Sequence, residues 1–156
     1  MFQVYKELME EIQPCYDEQA ELKDGFLDVL QFFKDSGTTL AVASSTPIKL
    51  IMLALKRFHL FDFFKIIHSS ENEEYGKPHP AVYINTAKKL NIPPVQCLAF
   101  EDSLNGAIAA KAACMKVVVV PENFEPDNRR LHFADLVIPS LRDFKSRHFE
   151  QFNESN

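Results

Sequence analysis

Glycine is scarce in this sequence. Four glycines in 156 residues leave no Walker A phosphate loop and no G-x-G-x-x-G dinucleotide loop, so neither standard nucleotide-binding device is present. Cysteine is scarcer. Cys15, Cys97 and Cys114 are an odd number that builds no disulfide framework. Cys97 and Cys114 fall in apolar surroundings and read as buried thiols, and a reducing, cytoplasmic setting suits them. No apolar run approaches the roughly 18 residues needed to cross a bilayer, and Met1 to Glu7 lacks the apolar centre of a signal peptide. Positive charge is neither abundant nor clustered. A net charge of −5 with no Lys/Arg stripe argues against nucleic acid as a partner. Charged residues at 25% and apolar residues at 46% remain ordinary for a soluble domain with a core of its own.

The most informative stretch runs from Cys97 to Val120. Cys97 to Phe100 is a short apolar run suited to a buried strand. Glu101 and Asp102 follow at its carboxyl end, where open α/β sheets bind ligands. An alanine-rich helix opens near Asn105-Gly106, and its small side chains allow close approach to a sheet. Lys116 then leads into Val117 to Val120, a second buried strand. The acid pair has two readings: Asp102 or Ser103 starts the helix, or the carboxylates hold a hard cation such as Mg²⁺.

The rest of the chain alternates strand and helix. Residues 2–22 are expected to be an amphipathic helix, with Val4, Leu8 and Ile12 recurring every four residues and Pro14 expected to kink or break it. Phe26, Leu30 and Phe33 share a helix face, and Gly37 ends that helix. Strands are expected at Thr39–Ala43, Lys65–His68 and Leu136–Ile138. Helices are expected at about 47–58, 80–90 and 141–149. The fold class is therefore α/β: a parallel sheet with helices on both faces. The boundaries are a helix at 1–22 that reads as the tail of something larger, an α/β core at 23–149 and a polar, frayed tail at 150–156.

In such a sheet the carboxyl ends of the parallel strands share one edge. Ser44-Ser45-Thr46, Lys77 and Glu101-Asp102 all fall at or just beyond those ends. Hydroxyls and amides at a helix start favour an anion. A lysine supplies a point charge for phosphate, and carboxylates hold a cation that neutralises the same phosphate. Each has a bland alternative: Ser44 to Thr46 as a helix cap, Lys77 as a solvated loop lysine. His79 reads as a turn residue, and the scattered His59, His68, His132 and His148 carry no assigned chemistry.

The ordered set Ala43-Ser44-Ser45-Thr46, Gly76-Lys77-Pro78-His79-Pro80 and Phe100-Glu101-Asp102-Ser103-Leu104-Asn105-Gly106 resembles the haloacid dehalogenase (HAD) superfamily. Within it the match is to small sugar-phosphate phosphatases, such as hexitol and 2-deoxyglucose-6-phosphate phosphatases, and to β-phosphoglucomutase. The resemblance covers roughly residues 22–145. It implies a three-layer Rossmann-like core and a magnesium-dependent phosphatase acting on a small phosphorylated sugar or polyol. By resemblance, Ser44 and the Ser45 amide bind the phosphoryl group. Lys77 neutralises phosphate and nucleophile as a catalytic residue. Glu101 and Asp102 hold Mg²⁺ directly or through water. Cys114 stands where relatives often carry glycine.

The sequence departs from that pattern in one respect. The family's nucleophile is the first aspartate of an Asp-x-Asp motif ending a first, central strand, and no Asp-x-Asp occurs in this chain. The resemblance thus implies that the first central strand and most of the helical cap are absent, with residues 1–22 matching a last cap helix. The chain is expected to be a carboxyl-terminal portion, inactive on its own. It is expected to be of reduced stability, or completed by a strand-supplying partner or a second copy, because unpaired buried backbone is costly. The alternative is a non-catalytic module that keeps a phosphate or Mg²⁺ pocket, or a decayed gene product.

Overall fold

The computed structural model describes residues 20–154 and Pro14. Residues 20–22 carry no regular secondary structure. Apart from these and the helical Pro14, the helix expected over 2–22 lies outside the described residues, as does the cap assignment that rests on it. From there the elements are α1 (Phe26–Asp35), β1 (Ala41–Ser44), α2 (Ile48–Arg57), β2 (Ile66–Ser69), α3 (Ala81–Leu90), β3 (Leu98–Glu101), α4 (Leu104–Ala112), β4 (Lys116–Val119), β5 (Leu136–Val137) and α5 (Ser146–Glu154).

Every strand pairing is parallel, but the strands form two separate sheets, β1-β2 and β3-β4-β5. Helices cover both faces. Along β4 the valines alternate with the period of two that a strand imposes. Val117 and Val119 point into a core with Val82, Tyr83 and Ala87 of α3 and Ala107, Ala109 and Ala110 of α4. Val118, with Val120 just beyond the strand, points the other way, towards Phe33 of α1 and Phe144. Leu30 of α1 joins Ile51 and Leu55 of α2 over Val42 and Ile67. A strand buried on both faces needs this continuous apolar run. β1 is different: all four of its residues are only half-buried, and its edge away from β2 pairs with no strand among the described residues.

Helix ends follow their capping chemistry. Gly37, at φ 71°, takes the left-handed position that ends α1. Pro47 precedes α2 instead of opening it and brings no side-chain cap. The Glu71 carboxylate does this from across the structure, accepting from Ile48 N at 3.0 Å. Ser103 caps α4, its hydroxyl accepting from Gly106 N at 3.0 Å, so Ser103 rather than Asp102 starts that helix.

Several expectations are corrected. Leu141–Asp143 is a single 3₁₀ turn, and the last helix begins at Ser146 and continues to Glu154, so 150–154 is helical rather than a frayed tail. Phe149 and Phe152 explain the shift: three residues apart, both pack onto the Phe33–Phe144 core. Cys114 is exposed rather than buried. It sits at φ 65° after α4, the conformation glycine adopts without strain. Cys97 is half-buried, and burial pushes its thiol pKa up.

Candidate functional site

β1 ends at Ser44 and β3 at Glu101, and the loop after β2 carries Lys77 back across both ends. The Lys77 ammonium donates to Ala43 O at 3.2 Å, to the Tyr83 hydroxyl at 3.2 Å and to Glu101 Oε1 at 2.5 Å. One lysine thus joins the carboxyl end of β1 to that of β3. The pair is sheltered, with side chains 12% and 6% exposed. The bland reading of Lys77 as a solvated loop residue is therefore set aside.

Local sequence explains why Lys77 arrives there. Pro78 and Pro80 restrict the backbone around it. The preceding loop is anchored to the fold: Glu73 accepts from Asn85 of α3 at 2.7 Å and lies 2.9 Å from the buried His68. His68 Nδ1 lies 3.1 Å from Thr86 Oγ1. Burial, with the Lys89 charge, holds the His68 pKa below 6.5 against the opposing pull of Glu73. His68, given no role from sequence, is a structural histidine beneath the loop.

Ser44 is half-buried at the strand end, and its hydroxyl accepts from Thr46 N at 3.1 Å. That bond uses an oxygen lone pair, so the O–H proton remains a donor. Ser45 beside it is exposed. Ser69, at the same level of β2, donates to Thr46 O at 2.7 Å and ties the turn down.

Glu101 and Asp102 diverge. Glu101 is buried, with Oε1 held by Lys77 and by the Tyr83 hydroxyl and Oε2 3.3 Å from Ser103 Oγ. Its carboxylate also lies against Gly106, where a Cβ would collide with it. Asp102 is exposed. The described residues contain no group of three or more His, Cys, Asp or Glu side chains able to enclose a metal. Mg²⁺ takes one or two carboxylates and keeps several waters. An open Asp102 beside an anchored Glu101 fits that chemistry as part of a site.

Lys77 and Glu101 are thus brought together, Ser44 follows the Ala43 whose carbonyl Lys77 holds, and Ser45 and Asp102 are exposed beside them. Tyr83 was not anticipated. It sits in the first turn of α3, 6% exposed, with Lys77 Nζ 4.7 Å from its ring centroid. Burial, then the Glu101 charge and hydrogen bond and the Asp102 charge, push its phenol pKa upward.

Comparison with known proteins identifies the family. The family model for haloacid dehalogenase-like hydrolases matches residues 3–113. This chain belongs to that family. Hexitol phosphatase B of Escherichia coli is 36% identical over 131 residues, which cover 84% of this chain and 59% of the relative. The crystal structure of β-phosphoglucomutase from Clostridium difficile superposes with a TM-score of 0.86 at 25% identity, covering 99% of this chain and 67% of that one. CbbY of Rhodobacter sphaeroides, solved with xylulose-(1,5)bisphosphate, gives a TM-score of 0.81 at 27% identity over 90% and 64% of the two chains. The chain spans about three-fifths of the length of the curated relative, at 59%.

Proposed function

We propose that this HAD-family chain carries the phosphate-binding and metal-binding half of a magnesium-dependent phosphatase for small phosphorylated sugars or polyols. The observation behind the reading is the Lys77 ammonium, anchored at once to the end of β1 and to Glu101 at the end of β3. In this role the Ser44 hydroxyl and Ser45 amide donate to phosphate oxygens, and Lys77 offsets their charge. Asp102 and Glu101, the latter already held by Lys77 and Tyr83, would hold Mg²⁺ directly or through water. When bound, the ion supplies charge neutralisation for the transferring phosphoryl group. The relatives named for hexitol phosphates and for a sugar bisphosphate complex support the substrate class. The free Cys97 and Cys114 suit a cytoplasmic setting.

Covalent phosphoryl transfer needs a nucleophile, and no Asp-x-Asp occurs in these 156 residues. The chain by itself is therefore inactive. The open edges of β1 and β3 fit a parallel strand that ends in the missing acids, supplied by a longer form of the protein, by a partner or by a second copy. The test is phosphate release from hexitol and hexose phosphates with Mg²⁺. The 156-residue chain should give no turnover above buffer, and a chain extended by an apolar strand ending in Asp-x-Asp should turn over. Magnesium-dependent turnover by the 156 residues alone overturns the reading. Saturable phosphate binding without turnover in the extended chain selects the non-catalytic module instead.

A further inference from the structure

The hydrogen-bond directions at Lys77 are determined by chemistry. An ammonium only donates, a carboxylate only accepts, and a phenol has one proton to give. The Tyr83 hydroxyl therefore accepts from Lys77 and donates to Glu101 Oε1, while Lys77 also donates to that oxygen. The three groups close a triangle, and with Ala43 O all three ammonium protons are used. The Tyr83 ring adds a face 4.7 Å from the same nitrogen, a contact that favours a cation. Tyr83 itself is held by the core of α3, α4, β3 and β4, so it is the rigid member of the triangle, and the long Lys77 and Glu101 side chains are the flexible ones.

We propose that Tyr83 is a positioning residue for the site, orienting Lys77 and Glu101 together across the gap between the two sheets. Without its hydroxyl the lysine keeps its charge and its Glu101 partner, but loses the fixed acceptor that sets its direction, and Glu101 loses a donor. The inference deepens the phosphate-site reading and rests on it for its purpose, though not for its geometry. Preorganisation of this kind raises affinity by removing the cost of ordering flexible groups on binding.

The test uses the intact 156-residue chain and the ¹H–¹⁵N signal of the Lys77 ammonium, assigned by its absence in Lys77→Arg. In the unsubstituted chain a fully bonded, sheltered ammonium exchanges slowly and gives an observable signal. Tyr83→Phe keeps the ring and its packing. It should speed exchange of that signal about tenfold, as expected for losing one hydrogen bond to a charged group, while the backbone amide spectrum beyond the site stays unchanged. A Lys77 signal that is unobservable in the unsubstituted chain, or equally slow in Tyr83→Phe, overturns the positioning role. Inorganic phosphate, titrated separately, reports on the site's purpose. Phosphate binding that survives Lys77→Met refutes the phosphate reading and leaves the ammonium signal to decide on Tyr83.

Discussion

Replacing Gly106 with alanine sets two opposing effects against each other at the heart of the site. Gly106 is the third residue of α4 and is buried. On helix propensity alone, alanine for glycine in a helix gains about 1 kcal/mol. The new Cβ, however, meets the Glu101 carboxylate. The end of a glutamate side chain ordinarily swings aside at little cost. This one is bound by Lys77, Tyr83 and Ser103 and buried among them, so it moves only by breaking the Lys77 pair. Breaking a buried ion pair costs about 3–5 kcal/mol when one charge is left uncompensated. Partial retention of contact by the flexible lysine puts the loss nearer the lower end. The net expectation is destabilisation of about 2 kcal/mol, measured by urea denaturation at neutral pH. The sign should reverse in a Glu101→Ala background. There the obstruction is gone, and Gly106→Ala should be neutral or stabilising by up to about 1 kcal/mol. A single Gly106→Ala variant as stable as the parent, or an equal loss in both backgrounds, refutes the reasoning.

Further perturbations probe other parts of the structure. Lys77→Met leaves the Glu101 carboxylate buried with only Tyr83 and Ser103 as donors. It should lower the urea-derived stability by about 3 kcal/mol, and an effect below the error of the measurement would show that the pair is not sheltered. Cys114→Gly relieves a left-handed backbone at an exposed position and should stabilise by about 0.5–1 kcal/mol. A lower thermal midpoint would contradict that. His68, with its pKa below 6.5 in the folded chain, binds its proton more weakly when folded than when unfolded. Its contribution to stability is therefore full above 6.5 and is lost as pH falls from there through the folded pKa. His68→Gln should flatten the fall in urea midpoint between about pH 7 and pH 5, and an unchanged slope would assign the dependence to other groups.

The β3-α4-β4 unit was legible because its signals agree: an apolar run, an acidic strand end, small residues on the helix and a valine run that both faces of a sheet can bury. The strand-end residues were legible for the same reason, since parallel topology sends all carboxyl ends to one edge. Tyr83 was not. An aromatic residue on an amphipathic helix reads as core, which Tyr83 also is. Its six-residue separation from Lys77 spans a proline-containing turn, and no periodicity relates the two. The last helix was misplaced because Leu141 and Phe144 pack like helix residues from a 3₁₀ turn, while Phe149 and Phe152 draw the polar tail into a helix. Cys114 misled because its apolar neighbours are buried, whereas its backbone conformation turns it out to solvent. The half-exposure of β1 goes with an edge that pairs with no strand among the described residues, which no local pattern in its four residues announces.

The most direct test is calorimetric titration of inorganic phosphate into the 156-residue chain in the presence of Mg²⁺, repeated with Ser44→Ala and Lys77→Met. Saturable binding by the parent chain, weakened about tenfold or more by each substitution as expected for loss of a charge-assisted contact, is the predicted result. No saturable binding by the parent chain, or binding indifferent to both substitutions, contradicts a phosphate site at the joined ends of β1 and β3.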